Sequence, residues 1–222
     1  MDTRSLFPLE ITEVATHRVA SQVYESVVKM DQATLEPVAG LAESWESNED
    51  ATEWTFRLRK GVFFHDDPCF PNGKGRELVA KDLAFVVRQL CSPAANNRMF
   101  WLVRDRLLGA REYYDAQLEG EKPENLEAVE VIDEHTIKIK LAFPFASFLR
   151  LMAHNAFYVY PREALEMYGE DMANKAIGTG PFRLKVFKRD EMVVLERNDN
   201  YWAMDEHGNK LPYLDAIQTS FV

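Results

Sequence analysis

Sulfur is scarce in this chain: two cysteines, Cys69 and Cys91, stand among 222 residues. Two cysteines are too few for a disulfide scaffold, and no C-x-x-C pair exists to hold zinc or run redox chemistry. They read as two unrelated thiols, one in a loop and one at a helix end; a mutual disulfide is the alternative and would mark an oxidising compartment. Long apolar runs are missing too. None approaches the ~18 residues that a membrane span needs. Met1-Asp2-Thr3-Arg4 lacks the basic and then apolar segments of a secretory leader, which implies a cytosolic protein or one whose leader has been removed. Positive charge is in deficit, with 26 Lys and Arg against 36 Asp and Glu, a net charge of −10. Such a chain gains nothing from neutralising phosphates, which argues against a nucleic-acid partner.

Catalytic constellations are equally thin. The five histidines are His17, His65, His135, His154 and His207, and none forms H-E-x-x-H. No serine sits in G-x-S-x-G, and neither cysteine has a catalytic flank. "FHDD" (64–67) looks ligand-like, yet successive strand side chains alternate in direction, so it reads as a solvated strand end rather than a metal site. Asp66, Asp67, Glu112 and Glu163 read as ordinary carboxylates on turns and helix faces. "GTGP" (178–181) is not a phosphate loop: Arg183 stands where a dinucleotide loop needs its third glycine, and strand follows rather than helix. Its glycines and Pro181 read as backbone geometry at the entry to a strand.

What is present is core material. Hydrophobic residues make up 46% of the chain, including 14 Phe, 8 Tyr and 4 Trp, enough for a folded interior. Helical spacing of Val19, Ala20, Val23, Tyr24, Val27 and Val28 predicts a helix over 18–28 that ends in an extended piece. Trp54, Phe56 and Leu58 alternate with polar residues and predict a half-buried strand, repeated by Val62 and Phe64. Two Pro and two Gly in "PCFPNGKGR" (68–76) predict a loop. Asp82 opens a helix carrying Leu83, Val86, Val87 and Leu90, and 99–118 reads as helical. Val129-Val131 and Ile137-Ile139-Leu141 read as paired strands. Short helices follow at Phe148–Met152 and Pro161–Tyr168. Phe182-Leu184-Val186 and Met192–Arg197 form a strand pair around the turn at 188–191. Ile217, Thr219 and Phe221 alternate to the end, so the chain is expected to be a piece cut inside a strand. Each aromatic, from Phe100-Trp101 to Tyr158 and Tyr160, reads as packing rather than as a stacking platform.

Several of these stretches, in order, resemble the extracellular solute-binding proteins of family 5, the dipeptide-, oligopeptide- and nickel-binding receptors of ABC importers. "LAESWESNEDATEWTFRLRKGVFFHDD" (41–67) resembles their signature region. Asp82 in "VAKDLAFVV", "VEVIDEHTIKIKL" (129–141), "GTGPFRLKVFKRDEMVVLERNDNYW" (178–202) and "LPYLDAI" continue the likeness to about residue 217. The loop 68–76 is longer than the family turn, and Val79 replaces a threonine.

The resemblance implies an α/β fold with mixed sheets, periplasmic-binding-protein-like of class II. It implies lobe I alone: a partial core from 1–28 and 160–222, an inserted subdomain from 29–159, and a second lobe missing. It implies capture of peptides in an interlobe cleft and delivery to a membrane permease, periplasmic or at the cell surface with or without a lipid anchor. No cofactor, metal or chemistry is implied. Alternatives are a nickel chelate, an oligosaccharide or a signalling peptide on the same scaffold, a module without transport, or an enzyme whose site lies in the missing half. Carried over by position, the cleft wall comprises a peptide-pairing strand at Thr12, Glu13, Val14 and Thr16, helix-start residues His17 and Arg18, the loop at His154 and Asn155, and the turn Gly178-Thr179-Gly180. Plain hairpin geometry explains those glycines equally well. With one wall only, the chain is expected to bind peptide very weakly or undetectably, and to self-associate through an exposed apolar edge.

Overall fold

A computed structural model describes residues 5–220. The terminal tetrapeptide 1–4 and Phe221, both used in the sequence reading, lie outside the described residues. In chain order the helices are α1 (Val14–Val23), α2 (Ala80–Leu90), α3 (Ala110–Leu118), α4 (Phe148–Met152) and α5 (Arg162–Tyr168). The strands are β1 (Val28–Met30), β2 (Pro37–Ala39), β3 (Ala42–Ser47), β4 (Glu53–Leu58), β5 (Val129–Val131) and β6 (Thr136–Lys140), then β7 (Phe182–Lys188), β8 (Met192–Arg197) and β9 (Ala216–Ser220).

The chain divides into two compact units. The first gathers Met1–Glu25, Lys60–Leu78 and Tyr158–Val222; the second gathers Ser26–Arg59 and Val79–Phe157. The sequence reading placed all of 29–159 in one subdomain. Lys60–Leu78 instead returns to the first unit, because its bonds lie there: His65 N–H donates to Gly178 O at 2.8 Å, Arg76 pairs with Glu163, and Asp67 accepts the Tyr168 hydroxyl.

In the second unit a four-stranded antiparallel sheet runs in the order β3-β4-β6-β5, beside the short pair β1-β2. Alternation decides which face of β4 is buried: Trp54, Phe56 and Leu58 point inward, while Thr55 and Arg57 do not. Ile137 and Ile139 continue that face on β6, where Trp54 pairs with Ile139 and Phe56 with Ile137. Phe148 of α4 closes on it, its ring 5.7 Å from Trp54 and 6.3 Å from Phe56. α2 lays Leu83, Val86, Val87 and Leu90 against β5 and β6. Its start is held by the Asp82 carboxylate, which accepts the Val79 N–H at 2.9 Å, and an acidic side chain there also suits the helix dipole.

In the first unit β7, β8 and β9 form an antiparallel sheet in that order, and α1 packs against β7. Phe182, Val193 and Leu195 are buried in it. Phe7 meets Tyr160 edge-on with ring centroids 5.2 Å apart.

Several expected elements need correction. The helix predicted over 18–28 starts four residues earlier and stops at Val23, where Tyr24 turns extended. Only Ala110–Leu118 of the stretch 99–118 is α-helical; a 3-10 turn at Phe100–Leu102 and irregular turns precede it, ended by Gly109 at φ 70°. The polar run 42–47 is a strand, β3, on the sheet's edge, exposed enough that no apolar alternation marks it. Val62 and Phe64 flank a single bridge, Phe63 to Glu77, not a strand.

Candidate functional site

The extended backbone before α1 is short. Glu13 is its N-cap, at φ −100° and ψ 138°, and Val14 begins the helix. The peptide-pairing strand expected at Thr12–Thr16 is therefore not formed: the carbonyls of Val14 and Thr16 belong to a helix and cannot serve a strand ladder. Before the helix, Ile11 and Glu13 have extended dihedrals, with Thr12 between them. Thr12 and Val14 are exposed, Glu13 is half-buried, and the Thr12 hydroxyl donates to Glu13 Oε1 at 2.9 Å. Thr16 points inward and is fully buried.

His17 and Arg18 sit one turn inside α1 rather than at its start. Arg18 is exposed. His17 is half-buried and shares a hydrogen bond between its Nε2 and the Tyr158 hydroxyl at 3.2 Å. The two rings stack with centroids 6.0 Å apart, and Tyr24 also stacks with Tyr158, at 6.0 Å. Burial lowers the His17 pKa and pushes Tyr158 up to about 12, so a neutral pair is favoured at pH 7. The surface of this part of the first unit thus offers a short extended segment, an exposed guanidinium and an imidazole edge backed by two phenol rings.

The Gly178-Thr179-Gly180 turn is buried and does a different job. A Cβ on Gly178 would lie 2.2 Å from Val23 O, and one on Gly180 would lie 2.7 Å from both Gln22 O and Val23 O. The glycines therefore let the turn press against the last turn of α1, where Gly180 N–H donates to Val23 O at 2.9 Å. Thr179 donates its hydroxyl to Glu25 Oε2 at 2.9 Å.

Glu25 is the centre of a polar cluster that sequence reasoning missed. The residue is 3% exposed, and its carboxylate also accepts the Tyr201 hydroxyl at 2.9 Å and the Trp202 indole N–H at 3.0 Å. His65 lies on the far side of the same turn. It was read as a solvated strand end; instead it is buried, because its imidazole bridges the turn, with Nε2 donating to Gly180 O at 2.9 Å and Nδ1 accepting the Gly178 N–H at 3.4 Å. Asn198 Nδ2 donates to the same Gly180 carbonyl at 3.0 Å. Residues 25, 65, 179, 198, 201 and 202 converge from four stretches of sequence. Their one-dimensional signal is that all except Glu25 fall in stretches quoted above for their family likeness.

His154 and Asn155 belong to the second unit. His154 follows α4 and accepts the Ala156 N–H on Nδ1 at 3.1 Å; Asn155 opens a 3-10 turn and is buried. The long loop 68–76 is well anchored in the first unit. Arg76 grips Glu163 with two bonds of 2.7 and 2.9 Å, Asp66 accepts Lys74 Nζ and Gly75 N–H, and Asp67 accepts the Tyr168 hydroxyl at 2.7 Å. Asp66, Asp67 and Glu163, read above as ordinary carboxylates, are engaged in structural bonds. Both cysteines are free thiols. Among the described residues no group of three His, Cys, Asp or Glu is placed to hold a metal, and no helix is long and apolar enough to cross a membrane.

Comparison with known proteins agrees with this architecture. The family model "Bacterial extracellular solute-binding proteins, family 5 Middle" matches residues 36–222. The periplasmic oligopeptide-binding protein OppA of Escherichia coli is 30% identical over 204 residues, covering 90% of this chain and 35% of that protein. The heme-binding protein A of Haemophilus influenzae is 30% identical over 201 residues, covering 88% of this chain and 35% of that protein. The periplasmic binding protein DppA of Helicobacter pylori, solved with the peptide STSA, superposes with a TM-score of 0.75 at 27% identity, covering 100% of this chain and 41% of that one. The chain thus spans about a third of the length of these curated relatives. The fold is that of the type II, OppA-like periplasmic binding proteins, mixed α/β, over about 40% of those structures.

Proposed function

The chain belongs to the bacterial extracellular solute-binding proteins of family 5, and we propose that it supplies one wall of a peptide-binding cleft in the substrate-binding component of an ABC importer. The observation that carries this reading is the family match over 36–222 together with full coverage by a relative solved with a bound peptide. In this reading the first unit is the lobe I core and the second its inserted subdomain. The protein works in the periplasm or at the cell surface, hands peptide to a membrane permease and makes or breaks no bond.

Within the wall, Thr12 and Glu13 offer extended backbone for main-chain pairing, which is indifferent to peptide side chains. Val14, His17 and Arg18 border that segment; Thr16, Gly178, Thr179 and Gly180 support it from within. His154 and Asn155 are assigned to the same wall by their family positions alone.

The reading is tested by NMR titration of the isotope-labelled chain with di- and oligopeptides, and separately with haem, because one relative is named for haem binding. Weak peptide-dependent shifts clustered at Thr12–Arg18 are expected. Shifts caused by haem and not by peptides, or peptide shifts that avoid these residues, would overturn it.

A further inference from the structure

We propose that the first unit carries a second binding site, a cavity beside β7 that takes a free amino acid with an apolar side chain. The cavity measures about 340 Å³, which lies within the size range of small-molecule sites. None of its lining residues belongs to the segment 12–18, so the site does not rest on the peptide-cleft reading. Its floor is apolar: Ala176 and Ile177 are buried, and Leu184 and Phe187 are half-buried.

An irregularity in β7 turns residues toward this cavity. Leu184 pairs with Leu195 and Val186 with Val194, which leaves Lys185 as an extra residue between them. Simple alternation would send Leu184 and Lys185 to opposite faces; with the bulge, both line the cavity, together with Phe187. β7 is also an edge of its sheet, and a bulge on an edge opposes the addition of a further strand. A small molecule therefore suits the cavity better than an extended chain.

Both signs of charge stand at its rim. Lys175 is exposed, and its ammonium lies 5.3 Å from the centroid of the Tyr168 ring. Among the described residues it has no carboxylate partner. Asp67 is half-buried, and its Oδ1 accepts the Tyr168 hydroxyl at 2.7 Å and the Cys69 N–H at 2.9 Å. A carboxylate has about four lone-pair sites, so Asp67 retains room for an ammonium. Tyr168 links the two charges, its ring facing Lys175 and its hydroxyl reaching Asp67. The other polar groups are engaged. Lys185 and Arg183 share Glu196 at 3.0 and 2.9 Å, Asn174 is bonded to Asp171 and Arg189, and Asp66 holds Lys74.

The charges open to a ligand are thus opposite in sign. An amino acid answers both, with its ammonium on Asp67, its carboxylate on Lys175 and its side chain on the apolar floor. A plain carboxylate would meet the like charge of Asp67, and a plain amine that of Lys175.

The test is NMR titration of the isotope-labelled 222-residue chain with L-leucine, glycine, isocaproate (the carboxylate without the amine) and isoamylamine (the amine without the carboxylate). Leucine should give saturable shifts at residues 67, 175–177 and 184–187, with a Kd of about 1 mM or tighter. Glycine and each single-charge analogue should bind roughly tenfold or more weakly. Lys175→Gln should weaken leucine by a similar factor without weakening isoamylamine, and Asp67→Asn should weaken leucine without weakening isocaproate. Lys175→Arg should keep most of the affinity. Lys175 is exposed, and unchanged circular dichroism verifies folding. Absence of saturable leucine shifts at these residues, or analogues that bind as tightly as leucine, would overturn the proposal.

Discussion

Glu25 accepts the Thr179 hydroxyl at 2.9 Å across 154 residues of sequence, locking the end of α1 to the turn that launches β7. The same carboxylate receives Tyr201 and Trp202. One buried side chain therefore ties three separate stretches of the first unit together, and several of its physical consequences are measurable.

Removing this carboxylate strands its donors. Glu25→Ala leaves a hydroxyl, a phenol and an indole N–H without their acceptor, and should cost about 3 kcal/mol or more of folding stability. Glu25→Gln keeps the shape and one acceptor oxygen and should cost less. Urea unfolding monitored by Trp fluorescence measures both; equal, small losses would show that the cluster contributes little.

The glycine turn should be intolerant of a single methyl group. Gly178→Ala would put Cβ 2.2 Å from a backbone carbonyl that cannot swing away, so destabilisation of at least about 2 kcal/mol is expected. Gly61→Ala is the control: its φ is +70°, but nothing lies within 4 Å, so it should cost about 1 kcal/mol from backbone strain alone. Reversal of that order in thermal melts would contradict the close approach.

Acid should weaken the first unit through His65. Desolvation by burial pushes its imidazole down to about 4 from 6.5, against the raising effect of its bond to Gly180 O. The unfolded chain therefore takes up a proton at a higher pH than the folded one. Stability from neutral His65 is fully present above about 6.5 and declines as pH falls toward about 4, by up to about 3 kcal/mol. His65→Asn should be less stable at pH 7 and should flatten that part of the pH–stability curve. Unfolding midpoints measured across this range decide the matter.

Neither thiol should behave as part of a disulfide. Burial is the leading cause that raises both Cys69 and Cys91, each to about 12, so both stay protonated and slow to alkylate at pH 7. A thiol assay should count two free groups after unfolding without reductant, and reductant should not shift the melting temperature. A single disulfide per chain would count against this.

Regular elements with one buried face were legible in one dimension. Trp54-Phe56-Leu58 on β4, Ile137-Ile139 on β6 and the apolar positions of α2 carry the period of their structure. Elements lacking that contrast were not. β3 is polar because it is an exposed edge, and β1 and β2 are three residues each, too short to show a period. The candidate wall was legible only through family likeness, and its N-terminal strand was misplaced, since Val14–Thr16 suit the first turn of a helix as well as a strand.

Local pattern and composition determined by themselves that this is an acidic, aromatic-rich chain of helices and strands, with loops at its Pro and Gly clusters. Tertiary structure alone decided that His65 is buried, that Glu25 gathers Thr179, Tyr201 and Trp202, and that Lys60–Leu78 returns to the first unit. Periodicity records which way a side chain points from its own backbone. A buried charge or imidazole is tolerated only where distant donors and acceptors converge, and that convergence exists only once the chain has folded.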